Sequence, residues 1–272
     1  MTSQWSSRVS ATSSTEVMLL VFDIGNTNIV VGVFQGERLL HSWRVSTRRE
    51  QTSHEYAVLC RNLFALADLE SEGIEAAVIS SVVPPLNDAF DTLCREFFHV
   101  EPLFVAPELQ DLMPILYDHP SDVGADRLIN ALAVRELFGT PAIIVDFGTA
   151  TTFDAVSAEG AYLGGNIAPG IGVSTEALFQ KAAKLPRIEI RRPARSIGRT
   201  TVESMQAGIF YGYVGLVEEI LRRMSAELGG EPIVVATGGF AALIGQGLDC
   251  FDRIEPDLTL LGLRIYYAQT VS

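Results

Sequence analysis

Cysteine is scarce in this chain of 272 residues: Cys60, Cys94 and Cys250 stand far apart, with no CxxC pair and no Cys/His cluster at metal-binding spacing. That argues against a disulfide framework or a zinc-finger site. Reduced thiols in a cytoplasmic protein are expected instead. Positive charge is scarce as well. Lys and Arg number 20 against 33 Asp and Glu, for a net charge of −13. Non-specific nucleic-acid binding needs clustered cations, so no nucleic-acid partner is expected. A small anionic ligand is still allowed, because a local site can be positive in an acidic protein. No apolar run approaches the ~20 residues that cross a bilayer, so no membrane partner is expected either. Three signatures are missing. There is no Gly-Lys dipeptide and hence no Walker-type phosphate loop. No GxGxxG follows a strand, and there is no GxSxG elbow.

What is present is an ordinary globular composition, 48% hydrophobic and 19% charged. The length suits one large domain or two small ones. Residues Met1 to Val17 are rich in Ser and Thr and lack an apolar core segment. They read as a disordered tail, not a signal peptide, with the fold starting at Met18.

The most informative feature is a turn cassette that occurs twice. Val21-Phe22-Asp23-Ile24-Gly25-Asn26-Thr27-Asn28 is followed by the apolar Ile29 to Phe34, and Val145-Asp146-Phe147-Gly148-Thr149-Ala150-Thr151-Thr152 by Phe153 to Val156. Each is a strand ending in Asp-x-Gly, a small polar turn, then a second strand. Glycine lets backbone approach a ligand closely, and successive turn N–H groups can cradle phosphate oxygens. An Asp just before the turn can face Mg²⁺. A plain hairpin with a polar turn is the competing reading. The second copy, 123 residues on, favours phosphate binding in a duplicated domain.

Around the cassettes, Arg38 to Ser46 reads as a third strand and Ser53 to Leu69 as a helix capped by Thr52 or Ser53. Ala76 to Val83 and Pro102 to Val105 read as strands, with a helix over Leu86 to Phe98 between them. The order β-β-β-α-β-α-β predicts a mixed sheet flanked by helices. Ala106 to Val123 shows no clear periodicity. Asp126 to Phe138 reads as a helix, and the second half repeats the first. It has strands at Ala142 to Phe147, Thr151 to Ser157 and Ala161 to Ile167, and a helix over Gly172 to Lys184. A long helical stretch, Val202 to Leu228, is interrupted by Gly208, Gly212 and Gly215. A strand over Pro232 to Ala236 then precedes a short helix, Phe240 to Gln246.

Three further segments can carry chemistry. In Gly124-Ala125-Asp126-Arg127, Asp126 is either a helix cap or a general base beside an anion-clamping Arg127. Thr237-Gly238-Gly239 is either a helix-start turn or a nucleotide contact. Thr200 or Thr201 can cap the long helix, with Glu203 or Ser204 near its first turn. The arginines at 187, 191, 192, 195 and 199 read as a solvated loop, with anionic-substrate binding as the alternative.

Taken together, Asp23-Ile-Gly-Asn-Thr, Gly124-Ala-Asp-Arg127, Asp146-Phe-Gly-Thr-Ala-Thr-Thr152, Gly164-Gly-Asn-Ile-Ala-Pro-Gly170, Ala183-Lys-Leu-Pro186, the Thr201 segment and Thr237-Gly-Gly239 resemble type III pantothenate kinases. These belong to the acetate and sugar kinase, Hsp70 and actin superfamily. The resemblance runs from about Met18 to the C-terminus. It implies an α/β fold of two ribonuclease-H-like domains, residues 18–123 and 124–272, with the site between them. It implies ATP-dependent phosphorylation of pantothenate, the first step toward coenzyme A, by a cytoplasmic homodimer that binds pantothenate near the subunit interface. By motif, Asp23, Ile24, Gly25, Asn26, Thr27, Asn28, Ile29 and Val30 would bind ATP, together with Thr149. Asp23 would face Mg²⁺, directly or through water. Asp126 would be the catalytic base. Tyr117, Gly124, Ala125, Asp126, Arg127 and Thr201 would touch pantothenate. Asp146 would hold the monovalent cation, K⁺ or NH₄⁺. His119 and Thr200 stand where the family more often has Asn. The rival expectations are another small-molecule kinase of the superfamily and a non-catalytic nucleotide-binding regulator.

Overall fold

The computed structural model describes residues 17–105 and 109–271; the tail expected over residues 1–17 lies outside them except for Val17. Strands β1 (Met18–Ile24) and β2 (Asn28–Gln35) form an antiparallel hairpin closed by the first cassette, and β3 (Arg38–Ser46) extends it. Helix α1 (Ser53–Leu66) follows, started by a capping box. Thr52 Oγ1 accepts from the Glu55 N–H, and Glu55 Oε2 accepts from the Thr52 N–H. The helix ends before the expected Leu69, and Asp68 turns the chain with φ at 52°. Then come β4 (Ala76–Ser81), α2 (Asn87–Phe97) and β5 (Pro102–Phe104), giving a mixed sheet ordered β3-β2-β1-β4-β5.

The segment without clear periodicity, described from residue 109 on, contains a short α3 (Leu109–Leu112) and a 3₁₀ turn at Pro120–Asp122, and leads into α4 (Ala125–Leu137). The second half lays down β6 (Ala142–Phe147), β7 (Ala150–Val156), β8 (Tyr162–Pro169) and α5 (Ile171–Lys181). Helix α6 (Thr201–Leu228) runs unbroken through the three glycines expected to interrupt it. Each glycine costs about 1 kcal/mol against Ala. The helix is held by a buried face that includes Ile209, Phe210, Val217 and Leu221. Thr200 is its N-cap, accepting from the Glu203 N–H. Strand β9 (Ile233–Gly238), α7 (Ala241–Ile244), β10 (Arg253–Ile254) and α8 (Leu258–Val271) complete the chain. The second sheet is ordered β10-β9-β6-β7-β8, the same arrangement as the first with β10 in the place of β5.

Alternation along the strands assigns the faces. In β1, Leu20, Phe22 and Ile24 point to an outer core under α1 and α2, while Leu19 and Val21 point inward. In β6, Ile143, Val145 and Phe147 point outward beneath α6, while Ala142 and Ile144 point inward. Between the sheets lie α4 and α8, packed on each other. Residues 127 to 134 of α4 are all buried, as a helix enclosed on every side must be. The C-terminal helix α8, like β10, has no counterpart among the sequence expectations. It returns from the second half to pack on β1, β2 and β4 of the first.

Candidate active site

Continuing the inward alternation by one step reaches Asp23 in β1 and Asp146 in β6. Both carboxylates therefore face the space between the sheets, just beyond the end of the α4–α8 layer. There a cleft of about 310 Å³ opens, lined by the two cassettes, Asp126, Thr237 to Gly239 and the start of α8. Each turn is closed by its own glycine, the first turn being one residue longer than the second. Gly25 N–H donates to the Asn28 carbonyl at 3.0 Å, and Gly148 N–H to the Ala150 carbonyl at 3.0 Å. Across the cleft the turns meet, with Thr27 Oγ1 2.8 Å from Thr149 Oγ1. The first turn is braced from behind. Thr47 Oγ1 donates to the Gly25 carbonyl at 2.6 Å, and Arg49 Nη2 donates to Asn26 Oδ1 at 2.8 Å.

Asp126 enters at the second position of α4. Its Oδ1 accepts the Arg127 N–H at 2.8 Å, so one oxygen is fixed by the helix start while the side chain lines the cleft. Gly124 makes room for it: a Cβ there would sit 2.5 Å from Asp126 Oδ1. Gly238 does the same for Asp146. It has φ at +88°, and a Cβ would sit 2.5 Å from Asp146 Oδ1. Asp146 Oδ2 accepts from Asn130 Nδ2 at 3.4 Å, and Asn130 Oδ1 accepts from Thr259 Oγ1 at 2.8 Å.

The cleft is electrostatically tense. Burial, reinforced by the charges of Asp126 and Asp146, pushes the Asp23 carboxyl up to about 8. Burial, then Asp126 and Asp154, push Asp146 up to about 7. Asp126 is raised by burial and held down in part by the Arg127 N–H. Among the described residues, no three His, Cys, Asp or Glu side chains converge into a metal cage. The donor set is hard oxygen. An Mg²⁺ ion would thus share one of these carboxylates with nucleotide phosphates and water, its usual mode. Buried carboxylates that repel one another fit such a cation.

Of the expected residues, Asp23, Gly25, Asn26, Thr27, Asn28, Val30, Asp126, Asp146 and Thr149 line this one cleft. Ile24 and Ile29 do not; both are fully buried core residues behind the turn. Arg127 turns away into a buried ion pair. Its Nε donates to Asp154 Oδ1 at 2.8 Å, and the Tyr162 hydroxyl donates to the same oxygen at 2.7 Å. Tyr117 packs over Gly164, outside the cleft. Thr201 is an exposed first residue of α6. Gly124 and Ala125 contribute only the backbone at the α4 start. Sequence reasoning missed Arg44, Asn130, Asp257 and Thr259. Arg44 is placed by the strand register, which sets it opposite Val30. Thr259 belongs to α8, which showed no readable pattern.

The likeness to known proteins agrees with this geometry. Residues 19–223 match the family model for type III pantothenate kinase. The type III pantothenate kinase of Geobacter sulfurreducens is 56% identical over 250 residues, covering 92% of this chain and 98% of the relative. That of Moorella thermoacetica is 53% identical over the same shares. Among solved structures, a Campylobacter jejuni protein of the Baf family matches with a TM-score of 0.59 at 16% identity, covering 93% of this chain and 98% of that one. The ethanolamine utilization protein EutJ from Carboxydothermus hydrogenoformans matches at 0.55 and 15% identity, covering 91% and 89%; both likenesses speak to fold alone. With the family model spanning most of the chain and relatives above half identity along nearly its whole length, the chain belongs to the type III pantothenate kinase family.

Proposed function

We propose that this protein transfers the γ-phosphoryl group of ATP to the primary hydroxyl of pantothenate, giving 4'-phosphopantothenate at the entry to coenzyme A synthesis. The observation that carries the residue assignment is Asp126. It lines the cleft of both phosphate turns, with one oxygen held by its own helix and the carboxylate turned to the site. In the reaction the hydroxyl oxygen forms a bond to Pγ while the bond from Pγ to the β,γ-bridging oxygen breaks. ADP leaves with that electron pair, and the hydroxyl proton passes to Asp126. Such a transfer depends on positioning and charge neutralisation more than on covalent catalysis. Within the Asp23 to Val30 segment the N–H groups at the tip of the turn hold phosphate oxygens, since that of Gly25 is engaged by the Asn28 carbonyl, and Thr149 contacts the nucleotide from the facing turn. Mg²⁺, held at Asp23 directly or through water, supplies charge neutralisation when bound. Asp146 takes the role of monovalent-cation ligand, because the second turn cannot hold the same phosphates as the first.

Gly124, Ala125, Arg127, Tyr117 and Thr201 are assigned to pantothenate. Tyr117, Thr201 and the Arg127 side chain lie away from the cleft in one chain, which is in keeping with a homodimer in which a second copy completes the substrate pocket. Exposed Leu163 and Ile167 on the edge strand β8, and Tyr211 on α6, are apolar surface suited to that contact. Matching strand orders support two ribonuclease-H-like domains, 18–123 and 124–272. No described helix is long and apolar enough to cross a membrane. Three free thiols are in keeping with work in the cytoplasm. The test is ADP release across a panel of alcohols with ATP and Mg²⁺, with and without K⁺. Pantothenate is expected to turn over and K⁺ to stimulate it. Replacing Asp146 by Asn is expected to change the K⁺ response more than ATP affinity. An inert pantothenate, or a K⁺ titration of the variant that overlays wild type, counts against these assignments.

A further inference from the structure

The cleft that receives the nucleotide is acidic. Asp23, Asp126, Asp146 and Asp257 line it, and among the described residues Arg44 is the only Lys or Arg that does. Arg44 also lines the adjoining pocket, of about 540 Å³, beside Thr27, Thr149 and Gly239. It therefore stands where the two cavities join. The sheet puts it there. Arg44 in β3 lies opposite Val30 in β2, and Val30 packs toward the core between the sheets. Cross-strand partners share a face, so Arg44 points to the same side. Its neighbours are engaged elsewhere: Arg49 holds Asn26 and Arg127 holds Asp154. Among the described residues no hydrogen bond or ion pair occupies the Arg44 guanidinium. Its charge nonetheless reaches the site, since it draws both Asp23 and Asp146 downward against the effect of burial.

We propose that Arg44 is a catalytic residue of the phosphoryl transfer, its guanidinium contacting the γ-phosphoryl oxygens of ATP and offsetting the charge on them. This rests on the nucleotide reading of the cleft. A triphosphate brings several negative charges into a space already lined by four carboxylates. Bound Mg²⁺ would neutralise part of that charge, and a free arginine fork matches phosphate oxygens in geometry and sign. Arg44 forms and breaks no covalent bond. It acts on the same in-line step, in which Pγ passes from the bridging oxygen of ADP to the substrate oxygen.

The test compares full-length Arg44→Ala, Arg44→Lys and Arg38→Ala, the last removing a cation from the far end of the same strand. Steady-state rates are measured beside equilibrium binding of ATP and of ADP. Arg44→Ala is expected to lower kcat by roughly 10²–10³-fold, as loss of one preorganised donor does. It should weaken ATP at least about tenfold more than ADP, with the pantothenate KM within about twofold of wild type. Arg44→Lys recovers part of the rate, because charge returns without the fork. Arg38→Ala behaves as wild type. The melting temperature of Arg44→Ala stays close to wild type at a pH of about 5.5, where Asp23 and Asp146 are largely protonated, since the side chain is exposed and without a hydrogen bond or ion pair. An Arg44→Ala rate within about threefold of wild type, or equal weakening of ATP and ADP, overturns the proposal. Wild-type turnover of pantothenate checks separately the reading on which it rests.

Discussion

Asp23 and Asp146 are held where an ionised carboxylate is least comfortable, buried and beside other carboxylates. The physical consequence is a pH dependence of opposite sign to that of a salt-bridged acid. Both groups have folded values raised above the 3.8 of an exposed aspartate, to about 8 and about 7. Their contribution to stability is fully present below the unfolded value and is lost as the pH rises through the folded values. Nucleotide-free, metal-free protein is therefore expected to melt lower as the pH goes from about 5.5 to about 8.5, and Asp23→Asn is expected to flatten that fall. Thermal melts of both proteins across this range check it, and parallel slopes would contradict it. At this scale the sequence was legible where a residue's meaning is local. Asp-x-Gly followed by a polar turn announces itself, and Asp126 beside Gly124 does nearly as well. Arg44, Asn130 and Thr259 were not legible. Arg44 reaches the cleft through a cross-strand register, and Asn130 and Thr259 reach it through contacts spanning 129 residues of chain.

At the level of elements, the strands were legible because alternation and apolar runs reflect burial directly. Helix α6 was readable but expected to break. Local glycine propensity was overridden by a packed face along its length. Helix α8 was invisible for the opposite reason. Its segment Leu258–Val271 is apolar on most sides, since it is enclosed by α4 and the first sheet, and enclosure erases the one-sided stripe that marks a surface helix. The close crossing of α4 and α8 makes a specific prediction. A Cβ at Gly262 would lie 2.5 Å from the Ile129 carbonyl oxygen, a backbone atom with no rotamer to yield. Gly262→Ala is expected to destabilise by about 1–3 kcal/mol, the usual range for overpacking. Denaturant unfolding checks it, and an unchanged or raised midpoint would show that the helices separate freely. The crossing lies beside Asn130 and Thr259, so the same variant is expected to loosen the support of Asp146.

For the whole molecule, the repeated strand order explains the cleft. Two sheets of the same strand order each end a central strand in Asp-x-Gly, and packing them around a shared α4–α8 layer turns both carboxylates into one cleft. Neither half makes the site alone. The first supplies one Asp-x-Gly turn and the second its counterpart, and the helix between them delivers Asp126 to the meeting point. In the proposed reaction Asp126 accepts the substrate proton there. The most direct measurement is the turnover of Asp126→Asn beside its binding of ATP and pantothenate and its melting temperature. The expected result is a fall in kcat of roughly 10²–10⁴-fold, with both affinities and the melting temperature close to wild type. Turnover near the wild-type rate would remove Asp126 from the role of base.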